Sequence, residues 1–73
     1  MAARALEFEV ARKGRPVENG RFNAVADIDD AEALRTILRT WLAGEKWAEA
    51  RWSEFELRVR PAGAWRFKTT VRA

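Results

Sequence analysis

The chain contains no cysteine, no histidine and no tyrosine, and each absence removes chemistry. Without cysteine there is no disulfide, no thiolate nucleophile and no sulfur ligand for a metal. Lack of histidine removes the usual proton shuttle at neutral pH and the commonest metal ligand. Only two prolines and four glycines interrupt the 73 residues. No stretch approaches the roughly 18 apolar residues of a membrane span, and the amino terminus carries no signal-peptide pattern. The expectation is a cytoplasmic protein that does not engage a membrane.

Seventy-three residues make one small domain, 1–73, with room for a single core. The four Trp and four Phe are therefore needed mainly for packing. The formal charge is +3, and the cations are nearly all arginine, with lysine only at Lys13, Lys46 and Lys68. Arginine suits bidentate contacts to phosphate or carboxylate. Arginine and alanine usage of this kind also follows from GC-rich coding, which points to a GC-rich bacterium or its phage.

Ala5 to Arg12 alternates, with Leu6, Phe8 and Val10 on one side and Glu7 and Glu9 on the other, the period of a half-buried strand. Lys13 to Gly20 holds two glycines, Pro16 and an Asn-Gly pair and reads as a wide loop. Arg21 to Asp29 alternates again, with Phe22, Ala24, Ala26 and Ile28 inward. These two strands form the first hairpin.

Asp29 reads as a helix N-cap and Glu32 as its capping-box partner. Ala31, Leu34, Ile37, Leu38, Trp41 and Leu42 share one helical stripe. The helix is expected over Asp30 to Ala43, with Gly44 as the residue that ends it. A longer helix running to Trp52 is the competing reading, because Ala48 and Trp52 would return to the stripe.

Ser53 to Arg72 reads as a second hairpin. Phe55, Leu57 and Val59 alternate with Glu54, Glu56, Arg58 and Arg60, and Trp65, Phe67, Thr69 and Val71 alternate with Arg66, Lys68, Thr70 and Arg72. Pro61-Ala62-Gly63 between them fits a type I turn with a glycine bulge. That register sets Arg58 opposite Arg66 and Glu56 opposite Lys68. The expected core is Leu6, Phe8, Val10, Phe22, Ile28, Leu34, Leu38, Trp41, Phe55, Leu57, Val59, Phe67 and Val71.

The class is thus α+β, in ββαββ order, with a four-stranded sheet and one helix packed on one face. This order of elements, over essentially the whole chain, resembles the β-grasp architecture of ubiquitin-like and bacterial immunoglobulin-binding modules. The resemblance implies that the first and last strands lie side by side, in parallel, at the sheet centre. It carries no motif and hence no functional residue.

The residues that could carry chemistry are few. Asp27, Asp29 and Asp30 cluster at the helix start, where acids complement the macrodipole; the spacing lacks the glycine and distal Glu of a calcium loop. No phosphate-binding glycine loop is present. The expectation is a non-enzymatic module without cofactor, metal or small-molecule substrate. Its partner is expected to be a protein or a second copy of itself, as for a bacterial or phage accessory or regulatory factor, acting in the host cytoplasm if phage-encoded. Trp47 and Trp52 either cover the open edge of the core or, with Arg51, are the candidate contact residues, because Trp and Arg are enriched at interface hot spots. The alternative is nucleic-acid binding through Arg58, Arg60, Arg66, Lys68 and Arg15, since phosphate contacts need clustered cations.

Overall fold

The computed structural model describes residues 4–24 and 28–73. Its elements are β1 (Arg4–Arg12), β2 (Arg15–Ala24), α1 (Ala31–Gly44), a 3-10 helix (Glu49–Glu54), β3 (Phe55–Pro61) and β4 (Thr69–Arg72). One four-stranded sheet has the order β2-β1-β3-β4, every pair antiparallel. The class, α+β with a four-stranded sheet and one α-helix, is as expected. The strand neighbours differ from the β-grasp pattern: β3 stands between the first and last strands, and β4 is an edge.

The first hairpin turns at Lys13-Gly14, not through a wide loop. Both residues take positive φ, 53° and 81°, as a two-residue type I′ turn demands. Pairing then runs the length of the strands, Leu6 opposite Phe22 and Phe8 opposite Gly20, with one irregularity between Val10 and Ala11. Asn19-Gly20 therefore lies inside a strand. Gly20 serves close approach instead of a turn: a Cβ there would stand 3.0 Å from the Phe8 ring. Of the inward residues expected beyond Phe22, Ala24 and Ala26 fall outside what is described of side chains.

The helix N-cap is Asp30, one residue later than expected; its carboxylate accepts the Ala33 N–H at 3.1 Å. Glu32 pairs with Arg35 instead of completing a capping box. At the other end the helix includes Gly44, and Lys46, at φ 62°, takes the left-handed position. The Trp47 N–H donates to the Leu42 carbonyl at 3.0 Å and the Lys46 N–H to that of Ala43 at 3.1 Å, the bond pair of a Schellman motif. The chain reverses there, so no continuous helix reaches Trp52.

The core lies between α1 and the sheet. Leu6, Val10, Ala11, Ile28, Leu34, Leu38, Leu42, Phe55, Leu57, Val59 and Val71 are buried. Phe8, Phe22 and Trp41, expected in the core, pack against it only partly buried. The cause is the placement of α1, which lies over β3 and β4 and leaves the β1–β2 hairpin thinly covered.

The second hairpin departs most from expectation. Arg58 faces Thr70, Leu57 faces Val71 and Glu56 faces Arg72, so residues 62–68 are a loop and β4 begins only at Thr69. The turn itself forms: the Ala64 N–H donates to the Pro61 carbonyl at 3.0 Å and Gly63 has φ 87°. Pro61 is the first turn residue and Gly63 the third, the glycine position of a type II turn, not a type I turn with a bulge. Instead of pairing with β3, the Gly63 N–H donates to the Glu7 carboxylate at 2.9 Å. That bond draws the loop across the sheet's outer face and takes Trp65 and Phe67 out of the core.

Candidate functional site

The sheet face turned away from α1 carries Glu7 and Glu9 from β1, Asn19 and Arg21 from β2, and Glu56, Arg58 and Arg60 from β3, by strand alternation. Because β1 neighbours β3, each arginine of β3 meets a carboxylate. Arg58 donates to Glu9 at 3.0 Å and to Glu56 at 2.7 Å. Arg60 donates to Glu7 at 3.2 Å. The bond to Glu56, with that to Glu9 behind it, pushes the Arg58 pKa further above its ordinary value. The Glu7 carboxyl is held below the usual carboxylate value, first by the Gly63 N–H and then by Arg60. This face is a charge-matched lattice more than a run of free cations.

Loop 62–68 is built onto that lattice. The Arg60 guanidinium lies 5.0 Å from the centre of the Phe67 ring and donates to the Trp65 carbonyl at 3.3 Å. Between Phe67 on one side and Asn19 and Arg21 on the other lies an open cleft of about 610 Å³, floored by Glu7, Glu9 and Arg60. Trp65 projects beside it with 95% of its surface exposed. Arg66 and Lys68, its neighbours on the loop, are exposed too, and Lys68 approaches Asp29 at 3.5 Å. A backbone pinned at two points thus presents an indole to solvent, flanked by cations.

The tryptophans singled out from the sequence serve packing. Trp47 packs on Phe55 with centroids 5.0 Å apart, and the Arg12 guanidinium lies against both rings, 4.6 Å from that of Trp47 and 5.7 Å from that of Phe55. Trp52 is half-buried and donates its indole N–H to the Trp47 carbonyl at 2.9 Å. Arg51 is exposed but turns to Glu54 at 3.3 Å. Glu54 also receives Arg12 at 2.8 Å, whose hydrogen bond is the main reason its pKa is lowered. These residues form one connected cluster at the sheet end near the first hairpin turn.

The cations proposed for nucleic acid divide in the same way. Arg58 and Arg60 are engaged by carboxylates, Arg66 and Lys68 stand on the loop, and Arg15 is exposed beside the Lys13-Gly14 turn, opposite Arg12. The sequence reading missed Trp65, because its alternation with Arg66 and Lys68 matches that of a buried strand. The small residues Ala62, Gly63 and Ala64, which let the chain leave the sheet, were the available signal. Among the described residues no group of acids is placed to hold a metal ion, and no helix is long and apolar enough to cross a membrane. Comparison with family models, curated proteins and solved structures gives no match.

Proposed function

We propose that this chain is a non-enzymatic binding module that works through protein–protein contact, with loop 62–68 as the contact surface and Trp65 as its anchor. The observation that carries this reading is the 95% exposure of Trp65 on a segment tied down through Glu7 and Arg60. A tryptophan in water forgoes about 2 kcal/mol or more of burial. A tethered backbone lowers the entropy lost when a partner covers the indole. Arg66 beside it supplies a second side chain of the type enriched at hot spots. The carboxylates on Arg58 and Arg60 favour a protein over a polyanion on this face. A cytoplasmic accessory or regulatory role in a GC-rich bacterium or its phage belongs with this proposal.

A specific observation also supports the nucleic-acid reading: Trp65, Arg66, Phe67 and Lys68 interleave aromatic rings with cations, as single-stranded nucleic acid requires. One experiment separates the two. The immobilised chain is exposed to a lysate with and without nuclease, beside Trp65→Ala. A protein retained after nuclease and lost with Trp65→Ala supports the first reading. Material lost on nuclease treatment, with affinity falling steeply as salt rises, supports the second.

A further inference from the structure

The helix-side face of the sheet holds a second feature that the site above leaves unused. Because α1 sits over β3 and β4, an apolar groove stays open between it and the first hairpin. Phe8 and Phe22 form one wall, Ile37 and Trp41 the other, and Leu38 and Leu57 the floor. Its volume is about 210 Å³. For scale, an apolar cavity of ~150 Å³ holds a benzene molecule, so this one accommodates the larger indole. Phe8 is fixed as a wall, since its ring lies against Gly20 and 5.5 Å from Phe22.

We infer that the groove receives Trp65 of a second copy of this chain, giving a head-to-tail assembly. The inference rests on the reading of Trp65 as a protein anchor and names the partner. Size and polarity match: one surface offers the only tryptophan among the described residues left almost wholly in water, the other an unfilled apolar slot. Charge matches as well. Glu18 follows Phe22 and Gly20 along the groove side of β2, opposite Val10. Its carboxylate accepts the Asn19 N–H and forms no ion pair among the described residues. Arg66, next to the incoming indole, is the cation it meets. Trp65 cannot fold back into its own groove, because its loop is tied to Glu7 and Arg60 on the opposite sheet face.

A knob and a slot on opposite faces make a heterologous contact, which builds an open chain, or a ring where the rotation closes, and not an isologous two-fold pair. One indole and its flanking residues bury far less than the roughly 1,200 Å² of a stable complex, so association is weak and concentration-dependent.

Sedimentation velocity on the full chain, at concentrations up to about 1 mM, tests this. The wild-type chain forms a ladder of species that grows with concentration. Trp65→Ala removes the knob and Ile37→Asp fills the slot with charge; each weakens association by about thirtyfold or more. Mixing the two variants restores one good contact, so the mixture stops at a 1:1 dimer. Glu18→Lys and Arg66→Glu change only exposed side chains and keep the test independent of folding: each weakens association severalfold, and the double variant regains it. A wild-type chain that stays monomeric throughout, a Trp65→Ala variant that associates like wild type, or a mixture with no dimer overturns the inference. The broader reading fails separately, when Trp65→Ala retains every protein that the wild-type chain captures from nuclease-treated lysate.

Discussion

The carboxylate of Glu7 accepts the backbone N–H of Gly63 at 2.9 Å across 56 positions of sequence, and with the Arg60 bond to the Trp65 carbonyl it ties the loop that presents Trp65 to the sheet. The same carboxylate takes Arg60 at 3.2 Å, so the group that fixes the loop also neutralises the cation beneath it. Folding lowers the Glu7 pKa, through the Gly63 N–H first and Arg60 second. A carboxylate of this kind adds stability at pH above its unfolded pKa and loses it as pH falls through the lowered folded value. The Gly63 amide should therefore keep its protection factor, the observed rate relative to the intrinsic rate at the same pH, through neutral and mildly acidic pH and lose it only below the ordinary carboxylate range. Glu7→Gln should show that loss already at neutral pH. Amide hydrogen exchange followed by NMR over a pH series checks both, and pH-independent protection would mean that Glu7 does not hold the loop.

Gly63 provides a second test of the loop. Its φ of 87° is a conformation that β-branched residues avoid, and a Cβ there would meet nothing within 4 Å. The effect of Gly63→Val is thus backbone strain alone, about 1 kcal/mol or more of destabilisation, readable in the urea midpoint. Unchanged stability would show that the Pro61–Ala64 turn is not required.

Lys46 ends α1 in a conformation that glycine adopts more easily. Lys46→Gly should stabilise the domain by about 0.5–1 kcal/mol, the relief of left-handed strain less the entropy that glycine adds to the unfolded chain. The same urea titration checks it, and a loss of stability would point to a role for the ammonium.

Two tryptophans of opposite placement should respond oppositely to truncation. Trp47→Ala removes a ring packed on Phe55 and on the Arg12 guanidinium and should destabilise by about 3 kcal/mol. Trp65→Ala removes a ring that packs on little and should change stability by no more than about 0.5 kcal/mol. Thermal unfolding of the two variants against wild type is sufficient. Equal losses would place Trp65 in the packed structure and remove the reason for treating it as an anchor.

Local alternation was enough to define β1 and β3 as strands, because period-two burial depends only on neighbouring residues. The apolar stripe from Leu34 to Leu42, with an acid before it, likewise marked α1 to within a residue. Most core residues followed from those two periods. The candidate site did not. Glu7, Glu9, Arg58 and Arg60 are visible in the sequence as charges on wet faces, yet whether they meet depends on which strands are neighbours.

That neighbour relation belongs to the tertiary structure. The order β2-β1-β3-β4 places the acids of β1 against the arginines of β3, so what reads as a basic stripe becomes a neutralised lattice. The strip Trp65–Lys68 carries a strand's alternation, but a period states only which residues would share a face if the chain were extended. Glu7 supplies the competing acceptor for the Gly63 N–H, and with it the loop lifts Trp65 into solvent. Local periodicity was sufficient for the α+β class, for β1, α1 and β3, and for most of the core, while the turns, the start of β2 and the start of β4 followed from longer-range pairing. Strand order, the placement of α1 that opens the groove, and the exposure of one tryptophan among four were decided by contacts between residues far apart in the chain, which no local pattern encodes.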